Sequence, residues 1–266
     1  MAWPRLHHLP LLVLMAVLGG CAALPASDEG RFVARSIEFD GVRMPYQVFV
    51  PATSARAPGA LPVVLFLHGS GERGDDGRRQ TEAGLGPYLR AHAADFPALV
   101  VLPQVAKGGE WSGRNARLAV AALDAAMREF DADPRRQYLT GMSMGGYGSW
   151  NIALADPGRF AALVPVCGAV RPPRAERPGL RVEAVAAESD PYQAMALRLK
   201  DTPVWIFHGA RDDVVRPDDD RRLHAAFQAV AARDARYTEY PQGNHNAWDA
   251  TYADPAMWEW MFAQKR

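Results

Sequence analysis

The sequence predicts an α/β fold with a mostly parallel central sheet, an antiparallel N-terminal hairpin and helices on both faces. Three observations lead there. Short apolar runs recur at residues 61–67, 98–102, 137–140, 161–166 and 203–207, each ending at Gly, Pro, Ser or His, as strands buried on both faces do. Between them lie stretches of helical spacing: Leu118, Ala122, Leu123, Ala126, Met127 and Phe130 within 115–130, and Leu223, Ala226, Phe227 and Val230 within 218–232. The opening segment differs, because Phe32, Ile37, Phe39, Val42, Val48 and Val50 are interrupted by Asp40-Gly41, a hairpin signal. Strands that alternate with helices imply a parallel sheet with right-handed crossovers.

The chain has 266 residues, 48% of them hydrophobic and 23% charged, enough apolar material for one large core. Thirty basic and thirty acidic side chains cancel, so no global field draws the protein to nucleic acid or anionic lipid. Any partner must be recognised locally.

Residues 1–20 read as a secretory signal, with Arg5 followed by an apolar stretch at 9–18 and the small residues Gly19 and Gly20. The apolar run is roughly half the length a bilayer-spanning helix needs, so cleavage is expected. Leu18-Gly19-Gly20-Cys21 resembles a bacterial lipobox, in which the cysteine becomes the lipidated first residue. The alternative is plain secretion with a cut near Ala23 or Ala26. Ala22 carries no inner-membrane retention signal of the aspartate kind, which favours an outer-membrane anchor. Residues 22–31 then form a tether and 32–266 the catalytic domain. With Cys21 lipidated, Cys167 has no disulfide partner, and in its apolar surroundings it reads as a small buried hydrophobe. No Cys/His cluster has metal-ligand spacing.

After the hairpin, the Ala-, Pro- and Gly-rich residues 51–60 read as a surface loop. One later segment breaks the strand–helix rhythm. Residues 171–200, with a Pro- and Arg-rich start, are a candidate lid or specificity insertion.

The chemistry centres on Gly141-Met142-Ser143-Met144-Gly145, preceded by an apolar strand and followed by a helix-competent stretch at 147–155. A serine on a strained strand-to-helix turn needs residues without Cβ two places before and after it, and Gly141 and Gly145 meet that need. The turn sets the Ser143 hydroxyl at a helix N-terminus, where backbone N–H groups favour developing negative charge. A serine hydroxyl is a weak nucleophile and needs a base, oriented in turn by a carboxylate.

Of the histidines downstream, His208 ends a strand, His224 lies inside a helix, and His245 alone sits in a polar loop, Gln242-Gly243-Asn244-His245-Asn246. His245 is therefore the candidate base. Asp212, just past the end of a strand, is the candidate acid, with Asp213 as its rival. Asp218, Asp219 and Asp220 read as helix-starting residues that complement the dipole. The oxyanion of a tetrahedral intermediate needs two donors: the Met144 amide, and one from Leu67-His68-Gly69-Ser70-Gly71-Glu72-Arg73-Gly74, for which Ser70 is named and Gly71 is the alternative. His68 reads as a residue that fastens this loop. No phosphate-loop Gly-x-x-x-x-Gly-Lys-Ser/Thr is present.

Residues 67–74, 133–146, 208–212 and 243–248 together resemble small bacterial carboxylesterases of the α/β-hydrolase superfamily, in the phospholipase/carboxylesterase and dienelactone-hydrolase-like groups. The likeness runs from about Arg31 to the C-terminus and leaves residues 171–200 unmatched. It implies the α/β-hydrolase fold, Ser143, Asp212 and His245 as a catalytic triad, Ser70 and Met144 amides as the oxyanion hole, and no metal or organic cofactor. The length of chain after the leader leaves little room for a large cap domain, so an open site suited to short-chain or polymer-linked esters is expected. A peptidase of prolyl-peptidase type and a non-catalytic surface lipoprotein on the same scaffold are the rival readings.

Overall fold

The computed structural model describes residues 27–39, 41–53, 55–56 and 60–266. The leader 1–20, Cys21 and the tether up to residue 26 lie outside the described residues. Gly30 N–H donates to the Ala93 carbonyl at 2.6 Å, and the first strand opens at Arg31, inside the segment read as tether.

The strands are β1 (Arg31–Phe39), β2 (Val42–Val50), β3 (Leu61–Leu67), β4 (Leu99–Pro103), β5 (Ala132–Met142), β6 (Ala162–Val166), β7 (Val204–Gly209) and β8 (Ala235–Tyr240). They form one eight-stranded sheet in the order β1-β2-β4-β3-β5-β6-β7-β8. β1 with β2 and β2 with β4 are antiparallel; every later pairing is parallel. This is the α/β-hydrolase arrangement the sequence predicts. The helices are α1 (Leu85–Ala91), α2 (Gly113–Glu129), α3 (Met144–Ala155), α4 (Pro191–Leu199), α5 (Asp218–Ala229), α6 (Trp248–Tyr252) and α7 (Pro255–Ala263).

The continuous apolar runs have a direct packing reason. In β3, Val63, Leu65 and Leu67 join a core with Leu118 of α2, Trp150 of α3, Met195 of α4 and Phe227 of α5. The alternate residues Val64 and Phe66 join the opposite core, with Leu85 of α1, Tyr252 of α6 and Trp258 of α7. Side chains alternate across a strand, so a sheet covered on both faces needs apolar residues at every position.

Residues 171–200 are more ordered than a loop reading implies. Asp190 caps α4, accepting from Tyr192 and Gln193 N–H, with Pro191 in the first turn. Met195, Ala196 and Leu199 bury one face of α4. The first half of the segment carries no regular element beyond a 3-10 turn at Glu183–Val185, and it lies beside Ser143, Val214 and His245, in the loops that follow β5, β7 and β8.

Candidate active site

Ser143 stands between β5 and α3 with φ 54° and ψ −117°, a conformation that costs an ordinary residue about 1–3 kcal/mol. The surrounding backbone enforces it. Ser143 N–H donates to Val166 O at 2.9 Å, and Ser143 O accepts from Gly146 N–H at 2.8 Å. A Cβ on Gly141 would lie 2.4 Å from the Gly145 carbonyl oxygen, and one on Gly145 would lie 1.9 Å from that of Leu67. Both glycines are therefore steric necessities of the turn.

The loop after β8 brings His245 to the serine, with Nε2 2.9 Å from Ser143 Oγ. On its other side, Nδ1 lies 2.6 Å from Asp212 Oδ2. Asp212 sits in the loop after β7. Its Oδ1 accepts from the N–H groups of Val214 and Val215, both at 2.9 Å. Burial alone would raise the Asp212 pKa; hydrogen bonds from His208 and His245 override this and hold the carboxyl below the usual carboxylate range. Asp213, the rival acid, is exposed, and the carboxylate hydrogen-bonded to His245 is that of Asp212. Trp248 meets the His245 ring edge-to-face at 5.6 Å.

Ser70 and Gly71 begin a short 3-10 turn after β3 and line the same cleft as Ser143 and His245. Met144 is the first residue of α3, and first-turn N–H groups have no partner within a helix. Ser70 and Met144, the two expected donor residues, thus flank Ser143. His68 secures the donor loop: its Nε2 accepts from Val105 N–H at 3.1 Å, while Nδ1 donates to Gly69 O at 2.6 Å. Burial pushes its pKa down to about 4, which keeps the ring neutral for this bonding. His224 lies on α5, within 3.3 Å of Gln228 Nε2 and away from the cleft.

Several contributors escape a linear reading. Asp219 and Asp220 do open α5, but their side chains are buried. Asp219 receives Tyr192 Oη, the Val170 and Arg171 N–H groups and the Arg171 guanidinium, and so pins the irregular half of 171–200 to α5. Asp220 pairs with His208 beneath Asp212. A signal for this existed: Asp220 shares a helix face with Leu223 and Phe227, at i+3 and i+7, which is the buried stripe. Arg174 and Arg177, from the same irregular half, line the cleft of about 260 Å³ beside Ser143. Among the described residues, no group of three or more His, Cys, Asp and Glu side chains could hold a metal ion.

The family model described as "Putative esterase" matches residues 38–263. Solved structures share the fold. A thermostable esterase superposes with a TM-score of 0.71 at 29% identity, over 88% of this chain and 63% of that one, so this chain spans less than two thirds of its length. FphF, a fluorophosphonate-binding serine hydrolase of Staphylococcus aureus, gives 0.63 at 19% identity, over 88% of this chain and 98% of that one. The acylaminoacyl peptidase of Pyrococcus horikoshii gives 0.62 at 14% identity, over 82% of this chain and 38% of that one. No curated protein sequence matches the chain.

Proposed function

The chain belongs to the esterase family, a group of serine hydrolases, and from that premise we propose that it cleaves carboxylic esters through an acyl-enzyme on Ser143. The observation that carries this reading is the unbroken line from Ser143 Oγ to His245 Nε2 at 2.9 Å and from His245 Nδ1 to Asp212 Oδ2 at 2.6 Å.

In the first step His245 takes the Ser143 proton as Oγ attacks the ester carbonyl. The Ser70 and Met144 amides stabilise the oxyanion. The alkoxy C–O bond then breaks, and the proton on His245 passes to the leaving alcohol. In the second step His245 deprotonates water, which attacks the acyl-enzyme and releases the acid and free Ser143. Asp212 fixes the tautomer of His245 and balances its charge while it holds the proton. The side chains present suffice for this sequence, with no cofactor taking part.

The cleft beside Ser143, of about 260 Å³, is small against the roughly 300–1,000 Å³ typical of drug-sized sites. That size supports short-chain esters, or ester groups presented on a polymer. We also propose export, with Cys21 lipid-anchored to the cell envelope. Incorporation of labelled palmitate should then be lost in Cys21→Ser.

The deciding experiment is hydrolysis of p-nitrophenyl acetate, with a peptide p-nitroanilide assayed in parallel. Ser143→Ala should lower kcat by roughly 10⁴-fold or more and abolish labelling by a fluorophosphonate probe. Undiminished turnover in that variant would remove Ser143 from the reaction. Faster cleavage of the anilide than of the ester would turn the assignment toward a peptidase.

A further inference from the structure

We propose that Arg174 and its neighbour Arg177 form an anion subsite beside Ser143, so that the preferred substrate is an ester carrying a carboxylate in its acyl or alcohol part. This rests on the ester-hydrolase reading above and adds the substrate class. Both arginines come from the irregular strap that Asp219 pins to α5, and both line the cleft with Ser143 and His245.

The two arginines differ in what occupies them. Arg177 is committed to the protein, with Nη2 2.7 Å from Glu110 Oε1 and Nη1 donating to Ser70 Oγ at 3.0 Å. The same Glu110 oxygen also holds Arg73 at 2.8 Å, so one carboxylate serves two guanidinium groups and the wall keeps a surplus of positive charge. Arg174 is exposed and, among the described residues, has neither an ion-pair partner nor a side-chain hydrogen bond.

Glu72 is the acidic residue that lines this cleft, and burial raises its carboxyl pKa, which weakens its opposition to an incoming anion. The remaining walls include Met142, Val214 and Trp248, which offer apolar contact to the carbon skeleton. An ester group over Ser143 with an apolar spacer along these walls would present its far end to a guanidinium whose fork matches a carboxylate. Arg177, held by Glu110, contributes fixed charge and braces Ser70; Arg174 is the residue free to close on the ligand.

The test compares two matched pairs of substrates by the ratio of kcat/KM, anionic over neutral. The acyl-side pair is p-nitrophenyl p-carboxybenzoate and p-nitrophenyl p-methylbenzoate, whose rigid ring keeps the carboxylate away from its own ester. The alcohol-side pair is p-acetoxybenzoate and p-methylphenyl acetate. Dividing the wild-type ratio by that of a variant cancels intrinsic reactivity. The ratio for at least one pair should fall about tenfold in Arg174→Gln and further in Arg174→Glu, the lower range for a charge-assisted contact. It should also shrink in the wild type between about 0.02 and 0.5 M salt, as screening sets in. Ratios that stay constant across variants and salt, while the neutral esters are cleaved, overturn the subsite and leave the esterase standing. Failure of the wild type to cleave any of the four esters overturns the esterase reading itself.

Discussion

His208 donates from Nδ1 to Asp220 Oδ2 at 2.7 Å, while its Nε2 faces the Val215 carbonyl at 2.8 Å and Asp212 Oδ2 at 3.2 Å. Both ring nitrogens face carboxylate or carbonyl oxygens, an arrangement that favours the imidazolium. Burial opposes that charge, but the hydrogen bonds to Asp212 and Asp220 prevail and push the pKa up to about 10. The cation lies behind the carboxylate that hydrogen-bonds His245. Asp212 is thereby kept ionised from one side while it hydrogen-bonds His245 on the other.

The sign of the pH dependence follows from that shift. The folded pKa, about 10, lies above the ordinary value of 6.5. The stabilisation is therefore complete below about pH 6.5 and lost as pH rises through 10. Calorimetry should show Tm falling along this alkaline limb. His208→Gln leaves two buried carboxylates without their cation, which typically costs about 3–5 kcal/mol, or roughly 10 °C in a chain of this size. Its alkaline limb should be flatter than that of the wild type. Parallel limbs in the two proteins would remove the buried imidazolium from the account.

Asp212 and Asp213 are adjacent, yet only Asp212 reaches His245. Asp212→Asn should preserve much of the geometry while favouring the wrong imidazole tautomer, lowering kcat by about 10⁴-fold. Asp213→Asn changes an exposed side chain and should stay within about twofold, the range of a neutral surface substitution. Ester kinetics on the two variants separate the roles, and the reverse ranking would move the orienting function to Asp213.

Local chemistry made Ser143, Asp212 and His245 legible in the sequence, because each sits in a loop directly after a strand and a parallel sheet gathers such loops at one edge. Strands β3 to β7 were legible because burial on both faces leaves unbroken apolar runs, whereas the half-exposed β8 offers none. Asp219 and Asp220 were not. A helix start explains acidic residues well and masks the one cue, the spacing of Asp220 with Leu223 and Phe227, while nothing along the chain marks Asp219 as turned against Arg171. The segment 171–200 read as a uniform insertion because its Pro- and Arg-rich start hides the packed helix α4 behind it. Arg174 and Arg177 join the cleft only through the path of that strap across the sheet edge.

Cys167 directly follows β6 in a positive-φ conformation, fully buried against the turn that carries Ser143. Burial drives its thiol pKa well above the ordinary value. Since the thiolate is the reacting species, iodoacetamide should leave Cys167 unmodified in the native protein and alkylate it in denaturant. Peptide mapping by mass spectrometry reads the difference. Rapid native alkylation accompanied by loss of ester hydrolysis would mean that the sheet edge under Ser143 opens to solvent.

Gly145 is the sharpest steric constraint at the site. An added Cβ would meet the Leu67 carbonyl oxygen at 1.9 Å and its carbon at 2.6 Å, both backbone atoms of a central strand. No rotamer change relieves such a contact, so α3 must move away from β3 and carry Ser143 and the Met144 amide with it. Overpacking of this kind costs about 1–3 kcal/mol, and a displacement near 1 Å is enough to slow a reaction by about 10²-fold. Gly145→Ala should therefore lose at least that factor in kcat along with several degrees in Tm. Gly179, whose Cβ would meet nothing within 4 Å, supplies the control, because Gly179→Ala should match the wild type in Tm. If Gly145→Ala matched it as well, the close approach of α3 to the end of β3 would not be what positions Ser143.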